Sequence, residues 1–390
     1  MKINSSKHRL KGKLIKGIFG IFTAVAVVII ALPGYLQKGL FYLTPDIDDY
    51  KIFSNRIIKT GDAIKWPISQ DYNTVSLTSE ATDSLKKYKT VSFLVVQNDS
   101  LLFEKYWDGY TNTTISNSFS MAKSIVSILI GCAIDDGYIK SLDVKVKDLL
   151  PWLEGPQSHQ LTIRHLLTMS SGSDWDESYS SPFSVTTQAY YGNDLEKVIR
   201  KTKILHQPGL RFNYKSGDTQ IVERLLSKVT GMSLAEYASL KLWQPLGAET
   251  EALWSLDDNN GIEKAYCCFN STTRDFARLG SLVLNKGVFN QKRIISENYL
   301  SQMTAPAEYL TDKEGNAVDY YGLFWWIIEY NGHFIPYARG ILGQYIFVIP
   351  DKNAVVVRLG HKRSSSYRNH HPTDVYAWLK TAFAILEANQ

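Results

Sequence analysis

Cysteine is scarce in this chain, with three copies among 390 residues. Cys132 lies in an apolar stretch, and Cys267 and Cys268 are adjacent, so a disulfide framework is not predicted. Neighbouring cysteines rarely reach disulfide geometry, and we expect this pair to stay unbonded. No C-x-x-C pair occurs, so the sequence gives no sign of cysteine-based metal binding.

Several signatures of common enzyme classes are also missing. The chain has no G-x-S-x-G nucleophile elbow, no P-loop and no G-x-G-x-x-G turn. His370 and His371 are adjacent and lack H-E-x-x-H spacing, so we predict no metal site and no cofactor. Low-complexity tracts and internal repeats are absent.

Positive charge is concentrated at one end of the chain. The net charge is +5. The first 16 residues contain no acid and carry the basic residues Lys2, Lys7, Arg9, Lys11, Lys13 and Lys16. Without these the remainder is close to neutral, which argues against a nucleic-acid partner.

An uncharged run, "GIFGIFTAVAVVIIALPGYL", occupies residues 17–36 and is long enough to cross a bilayer as a helix. Basic residues precede the run and acids follow it, which orients residues 1–16 toward the cytoplasm. We therefore predict a single-pass signal anchor in the cell membrane, with the catalytic domain in the periplasm or outside the cell. A cleaved signal peptide is the main alternative, although no A-x-A site follows the run, and a buried core helix is a further alternative.

The rest of the chain is predicted to form one domain at residues 75–390, after a linker at 37–74. The stretch 91–107 reads as a hairpin around Asn98-Asp99, and strand patterns return near the C-terminus before a last amphipathic helix. Between about 140 and 265 the pattern is mainly helical. We predict an α/β fold of the α+β type, in which both chain ends form one antiparallel sheet that is flanked by helices and interrupted by a helical insert.

The stretch 117–137, "NSFSMAKSIVSILIGCAIDDG", predicts a buried helix that ends at Gly137. Ser120 and Lys123 stand three residues apart near its start, so they face the same side. Serine is a weak nucleophile that needs a base beside it. Burial in an apolar site favours the neutral form of a lysine, and neutral lysine can be that base.

The S-x-x-K pair alone is a weak signal. Ser84 and Lys87 have the same spacing in a polar segment that we expect to be solvated. A capping serine and a lysine that extends along apolar surface are the non-catalytic interpretation of Ser120 and Lys123.

Residues 173–192, rich in serine, aspartate and tyrosine, read as a surface loop.

Three segments together carry a more specific pattern. "SFSMAKS", "FNYKSGDTQIVERLL" and "ARGILGQYIFVIP" follow one another in this order, joined by "LTIRHLLTMSSG" and "STTRDFARLGSLVLNKG". Over about residues 75–388 the chain resembles the serine beta-lactamase and penicillin-binding protein superfamily. It is most similar to the class C-like branch, which includes esterases and 6-aminohexanoate-oligomer hydrolases.

The resemblance implies a role for each motif residue. Ser120 is then the nucleophile, Lys123 its proton acceptor or electrostatic partner, and Tyr214 a second acid/base. Ser216 stands where the family often has asparagine, which puts its substrate contact in doubt. The backbone N–H groups of Ser120 and Ile341 are the implied oxyanion hole.

The third motif implies substrate contacts and departs from the family's pattern. Gly340 and Gly343 are expected to let a substrate backbone approach closely. Gln344 either lines the site or is structural. The motif reads Ala338-Arg339-Gly340 where the family often has lysine or histidine, and the missing carboxylate-binding lysine argues against efficient beta-lactamase activity.

Other residues near these motifs are weaker candidates. Arg339 and Arg358 are candidates for binding a substrate carboxylate, although strand arginines more often pair with acids. Tyr190 and Tyr191 either cap the cleft or belong to a plain surface loop.

We therefore predict a membrane-anchored serine hydrolase that cleaves an amide or ester bond of a small or short oligomeric substrate. D,D-peptidase or weak beta-lactamase activity is the alternative within this class. A non-catalytic penicillin-binding-like receptor is the alternative outside it.

Overall fold

The computed structural model describes residues 15–16, 18–20, 23, 27–179 and 181–388. Its helices are α1 Gly34–Tyr42, α2 Ser79–Lys87, α3 Met121–Asp135, α4 Val146–Leu149, α5 Ile163–Leu167, α6 Val185–Tyr191, α7 Leu195–Ile199, α8 Ser216–Thr230, α9 Leu234–Ala238, α10 Thr273–Leu284, α11 Glu297–Met303 and α12 Thr373–Glu387. Its strands are β1 Asn55–Ile58, β2 Thr90–Gln97, β3 Ser100–Tyr106, β4 Ser116–Asn117, β5 Ala252–Ser255, β6 Phe269–Ser271, β7 Val288–Phe289, β8 Lys292–Arg293, β9 Trp326–Tyr330, β10 His333–Gly340, β11 Gln344–Ile349, β12 Ala354–Gly360, β13 Tyr367–Arg368 and β14 His371–Pro372.

A six-stranded sheet in the order β3-β2-β12-β11-β10-β9 forms the centre of the fold. Every neighbouring pair is antiparallel, and strands from before and after the helical region meet where β2 pairs with β12. The predicted antiparallel sheet from both chain ends is therefore confirmed. A second sheet has the order β1-β5-β6-β4.

Helices cover both faces of the central sheet. On one face Gly280 of α10 lies so close to β12 that a Cβ there would stand 2.4 Å from Val355. On the other face Trp378 of α12 packs against Phe93 of β2, with ring centroids 6.4 Å apart. Because β2 and β12 are covered on both sides, they read as continuous apolar runs rather than alternating ones.

Local signals in the sequence mark several turns correctly. Asn98 and Asp99 both take positive φ, 49° and 55°, which is the backbone of a tight hairpin turn between β2 and β3. Gly137 follows α3 with φ of 81°. Ser233 and Glu236, three residues apart, form a capping box at the start of α9.

The stretch 37–74, interpreted as a linker, is folded onto the domain, so that interpretation was wrong. β1 lies within it and pairs with β5 from Asn55↔Ser255 to Ile58↔Ala252. Ile47 and Ile58 are fully buried. The partner strand is about 200 residues away in sequence, and no local pattern signals such a pairing.

Two further segments differ from their predictions. Residues 173–192 are not a continuous surface loop, since they include α6, whose N-cap Ser184 accepts a hydrogen bond from the backbone of Thr187. The helical region between 140 and 265 contains α4 to α9 but ends in strand β5.

The predicted signal anchor at 17–36 lies partly outside the described residues, which omit 17, 21–22 and 24–26. Among the residues that are described, no helix combines the length and the apolar character needed to cross a membrane.

Candidate active site

Ser120 stands at the N-terminus of α3, directly after an unusual turn. Phe119 has a φ of +44°, a conformation that is uncommon for a non-glycine residue. The Asn117 side chain accepts a hydrogen bond of 2.8 Å from the Phe119 backbone and holds this turn. The turn places Ser120 at the edge of the core with its hydroxyl beside a cavity.

Lys123 follows one turn later on the same face of α3. Its Nζ lies 3.1 Å from the Ser120 Oγ, as the i, i+3 spacing predicts. Lys123 is 1% exposed, and its amine donates to the Ser216 Oγ at 3.2 Å and to the Tyr266 carbonyl at 2.8 Å. The polar contacts of Lys123 are therefore two hydroxyls and a carbonyl.

The second motif meets the first at this amine. Tyr214 precedes α8, and its ring centroid lies 5.0 Å from the Lys123 Nζ. The ring is fixed against Trp326 of β9 at a centroid distance of 5.7 Å. Ser216 begins α8 and reaches the same amine. The structure thus brings Ser120, Lys123, Tyr214 and Ser216 together, as the order of the motifs predicts.

Glu177 is a further member of the site that the sequence does not reveal. Its carboxylate accepts hydrogen bonds from the Ser216 backbone N–H and Oγ, both at 2.6 Å. It also accepts from the Trp175 indole at 2.8 Å and from the Tyr179 hydroxyl. A single acidic residue in a polar segment does not form a recognisable motif. The contact between Glu177 and the second motif is therefore evident from the structure and not from the sequence.

The third motif supplies Ile341 to the same cavity as Ser120, where its backbone N–H was proposed to complete an oxyanion hole. Gly340 has a different role from the one expected. A Cβ at Gly340 would stand 2.2 Å from the Ser118 carbonyl oxygen. Glycine is therefore required here so that β10 can pack against the segment that carries Ser120, and not for the approach of a substrate.

Gly343, Gln344 and Arg358 form a structural group rather than a binding one. Gly343 has a φ of +89°, and a Cβ there would stand 2.1 Å from Arg358 Nη1. The Gln344 amide bonds the Ile341 and Gly360 carbonyls at 3.0 and 2.7 Å. The structure therefore gives Gln344 the structural one of its two expected roles, and the space that Gly343 leaves free is occupied by Arg358.

Arg358 is unavailable to a substrate. It is fully buried, and its guanidinium donates to the hydroxyl of Thr90 and to backbone carbonyls that include Gly343 and Tyr88. Burial lowers its pKa to about 10. Arg339 is partly exposed; its guanidinium stacks 3.2 Å from the Trp326 ring centroid and donates to the His370 carbonyl.

A cavity of about 420 Å³, the active-site cavity, opens beside Ser120. Its motif wall consists of Ser120, Ser216 and Ile341. Its aromatic wall consists of Gly39, Leu43, Tyr190 and Tyr191. The cavity between α2 and α12 is lined by none of the motif residues.

Tyr190 and Tyr191 are part of a helix and are buried, so the expectation of a plain surface loop was wrong. The Tyr190 hydroxyl donates to the Asp49 carboxylate at 2.7 Å. Burial, followed by the charge of Asp49, raises the pKa of Tyr190 far above its ordinary value, so this hydroxyl stays neutral. Tyr191 stacks on Tyr42 of α1, with centroids 6.3 Å apart.

Cys267 and Cys268 are joined by a disulfide, which corrects the expectation that the pair stays unbonded. Cys268 has a φ of +68°, and this turn lets two neighbouring side chains meet. Cys267 lines the active-site cavity next to Tyr266, whose carbonyl accepts from Lys123. In the described part of the chain, no group of three or more metal-binding side chains is arranged around a common point.

Comparisons with known proteins agree with this architecture. The Beta-lactamase family model matches residues 79–376. The 6-aminohexanoate-dimer hydrolase of Paenarthrobacter ureafaciens is 26% identical over 302 residues, which cover 74% of this chain and 76% of the relative.

Solved structures give the same picture at lower identity. A Bacillus anthracis protein proposed to be a 6-aminohexanoate-dimer hydrolase has a TM-score of 0.75 and 22% identity, and the match covers 88% of this chain and 93% of that one. A family VIII carboxylesterase has a TM-score of 0.61 and 14% identity, with 82% and 99% covered. At these identities the structures establish a shared fold alone.

Proposed function

Because the chain belongs to the beta-lactamase family, as its three motifs predict, we propose that it is a serine hydrolase that cleaves an amide or ester bond through an acyl-enzyme on Ser120. The observation that carries this proposal is the buried amine of Lys123 at 3.1 Å from the Ser120 Oγ, beside a cavity wide enough for a small substrate. An alcohol needs such a partner before it can attack a carbonyl.

The proposed reaction has two steps. The Ser120 Oγ attacks the carbonyl carbon while its proton passes to the Lys123–Tyr214 pair. The N–H groups of Ser120 and Ile341 stabilise the oxyanion that develops, and the leaving group departs with a proton from the pair. Water then attacks the acyl-enzyme while the same pair accepts its proton, and the pair passes that proton to the Ser120 Oγ as the acyl bond breaks, which releases the acid and restores the hydroxyl.

Glu177 and Ser216 position the Lys123 amine of the Lys123–Tyr214 pair. The Ser216 hydroxyl donates a hydrogen bond to the Glu177 carboxylate. The Ser216 Oγ is therefore oriented to accept a hydrogen bond from the Lys123 amine at 3.2 Å. The chain Glu177–Ser216–Lys123 therefore fixes where the amine lies relative to Ser120. We assign Glu177 as a positioning residue, because its carboxylate contacts Ser216 and not the nucleophile.

The order of preference among substrates follows from the third motif. Arg339, the one cation within Ala338-Arg339-Gly340, stacks on Trp326 instead of lining the active-site cavity. Hydrolysis of small amides or esters is therefore preferred to D,D-peptidase or beta-lactamase activity. Activity on 6-aminohexanoate oligomers, as the name of one relative suggests, is a candidate within the preferred class.

Labelling with a fluorophosphonate probe tests the proposal. We expect the wild-type protein to be labelled and the Ser120→Ala variant to remain unlabelled. A substrate panel of short esters, short amides and a chromogenic cephalosporin then ranks the activities. A folded wild-type protein that takes no label and turns over none of these substrates would instead be the non-catalytic receptor.

We also propose that residues 17–36 anchor the chain in the cell membrane, with residues 1–16 in the cytoplasm and the domain outside it. The proposal is supported by the uncharged run and the basic residues before it. Full-length protein should stay in the membrane pellet after a carbonate wash. Release into the wash, or a mature N-terminus beyond residue 36, would contradict the anchor.

A further inference from the structure

The aromatic wall of the active-site cavity is built by α1 and α6. α1 packs on α6 so closely that a Cβ on Gly39 would stand 3.7 Å from the ring of Tyr191. Leu43 follows α1, lines the cavity and is 77% exposed at its rim. Phe183, next to the lining residue Pro182, is 74% exposed. Two large apolar side chains are therefore exposed beside the cavity.

The charge on the lining of the active-site cavity is positive. Among the described residues that line it, Arg363 is the one charged side chain, and none is a carboxylate. Three acids near the cavity already have partners: Glu177 accepts from Ser216 and Tyr179, Asp49 accepts from Tyr190, and Asp46 contacts His361. A cationic group in this cavity would lose its hydration without gaining an ionic partner.

The motif residues indicate which half of the substrate occupies the active-site cavity. Ser120 and Ile341, which bind the carbonyl in the proposed reaction, both line the cavity. Tyr214, which protonates the leaving group, is not among the lining residues. The cavity therefore extends from the carbonyl on the acyl side.

We propose that the active-site cavity binds the acyl group of the substrate, and that this group is an aliphatic chain without a positive charge. The inference rests on the proposed Ser120 chemistry and narrows it to a substrate class. If it holds, 6-aminohexanoate oligomers are removed from the candidate substrates of the proposed function, because their acyl group ends in an ammonium.

Three p-nitrophenyl esters that differ only in the acyl group test the proposal: acetate, hexanoate and 6-aminohexanoate. Each additional methylene that is fully buried should raise kcat/KM about fourfold. Since the chain is buried only in part, we expect hexanoate to exceed acetate by about tenfold overall. The 6-aminohexanoate ester should fall to the level of acetate or below it.

Variants locate the effect in the aromatic wall. Leu43→Gln should lower the hexanoate-to-acetate ratio about threefold, because it places a polar group at the rim. Leu240→Gln is the matched control: this side chain is 48% exposed, lies outside the active-site cavity and should leave both rates unchanged. Arg363→Gln should raise the ratio of 6-aminohexanoate to hexanoate about threefold.

The outcomes separate the two proposals. Equal rates on acetate and hexanoate, or a preference for 6-aminohexanoate, would overturn the acyl-group inference while Ser120-dependent hydrolysis stands. Absence of both turnover and Ser120 labelling would remove the proposed function and this inference with it. An unchanged ratio in Leu43→Gln would show that the aromatic wall does not select the chain.

Discussion

The two walls of the active-site cavity are held together by different forces. The motif wall is fixed by hydrogen bonds between buried and half-buried polar groups, from Glu177 through Ser216 to Lys123 and Ser120. The aromatic wall is fixed by ring packing between α1 and α6, with one buried hydrogen bond from Tyr190 to Asp49. Directional bonds suit groups that must react, and packed rings suit a surface that selects by shape.

This difference predicts that substitutions on the two walls affect different measured properties. A change on the motif wall should reduce turnover while the fold persists. A change on the aromatic wall should alter substrate preference or stability while acylation persists.

The largest effect is expected for Lys123→Met. Loss of a general base costs about 100- to 10,000-fold in rate, and we expect kcat/KM for an ester substrate to fall within this range. Lys87→Met is the matched control, since Lys87 has the same spacing from Ser84 but is exposed on α2. A Lys123→Met variant that keeps more than a tenth of wild-type activity would remove Lys123 from the chemistry.

A smaller loss of activity is expected for Glu177→Gln. The amide would place an N–H₂ group against donors from Ser216, Tyr179 and Trp175, and an unsatisfied buried group of this kind costs about 1–3 kcal/mol. We expect the rate of fluorophosphonate labelling to fall about tenfold. KM for a short ester should change little, because Glu177 does not line the active-site cavity.

Glu177→Asp provides the control for a purely structural role. It keeps the charge but shortens the side chain, so it should recover part of the labelling rate. Equal labelling rates in wild type and Glu177→Gln, with equal melting temperatures, would contradict the positioning role.

Behind the aromatic wall, Lys264 should make stability depend on pH. It is fully buried, its Nζ lies 3.4 Å from the Ala189 carbonyl, and burial lowers its pKa from 10.5 to about 7. Between these two values the unfolded chain holds more protons, so the stability of the wild type rises with pH. Below pH 7 the folded chain must bury the charged amine.

Lys264→Met should therefore stabilise the protein most at pH 6, and its advantage over wild type should shrink by about 2 kcal/mol by pH 9. Urea unfolding at both pH values measures this difference. Lys201→Met, at an exposed site, should show a difference from wild type that does not vary with pH. An advantage of Lys264→Met that grows with pH would contradict the assignment.

The smallest effect is expected for Tyr190→Phe. The change removes one donor from Asp49, which keeps its backbone partner Asp46, and should cost about 1 kcal/mol of stability. Ser120 labelling should be unaffected. Tyr309→Phe is the control because that ring is 59% exposed. A loss of labelling without a loss of stability would place Tyr190 in the chemistry of the motif wall.

The two walls also differ in how far the sequence predicts them. Ser120 and Lys123 lie on one helix, so their spacing fixes their geometry, and the Asn98-Asp99 turn is equally local. The contact between Glu177 and Ser216 joins residues 39 positions apart, without a motif for the acid. β1 and the part of α1 from residue 37 onward were interpreted as a linker because their partners, β5 and α6, lie more than 100 residues away.

Glycine and arginine positions show a further limit of sequence reasoning. Gly340 and Gly343 were predicted to make room for substrate, but the atoms that they accommodate belong to Ser118 and Arg358. A glycine in a motif indicates that another group approaches the backbone closely, but it does not indicate whether that group belongs to a substrate or to the protein itself. The disulfide between Cys267 and Cys268 depends in the same way on a backbone turn that composition cannot reveal.

Mass spectrometry of the protein quenched during turnover tests the central claim most directly. Rapid mixing with p-nitrophenyl hexanoate should add the mass of one hexanoyl group, and digestion should place it on the peptide that carries Ser120. The Ser120→Ala variant should gain no mass under the same conditions. An adduct on any other residue, or turnover by the wild type without an adduct at any quench time, would contradict an acyl-enzyme on Ser120.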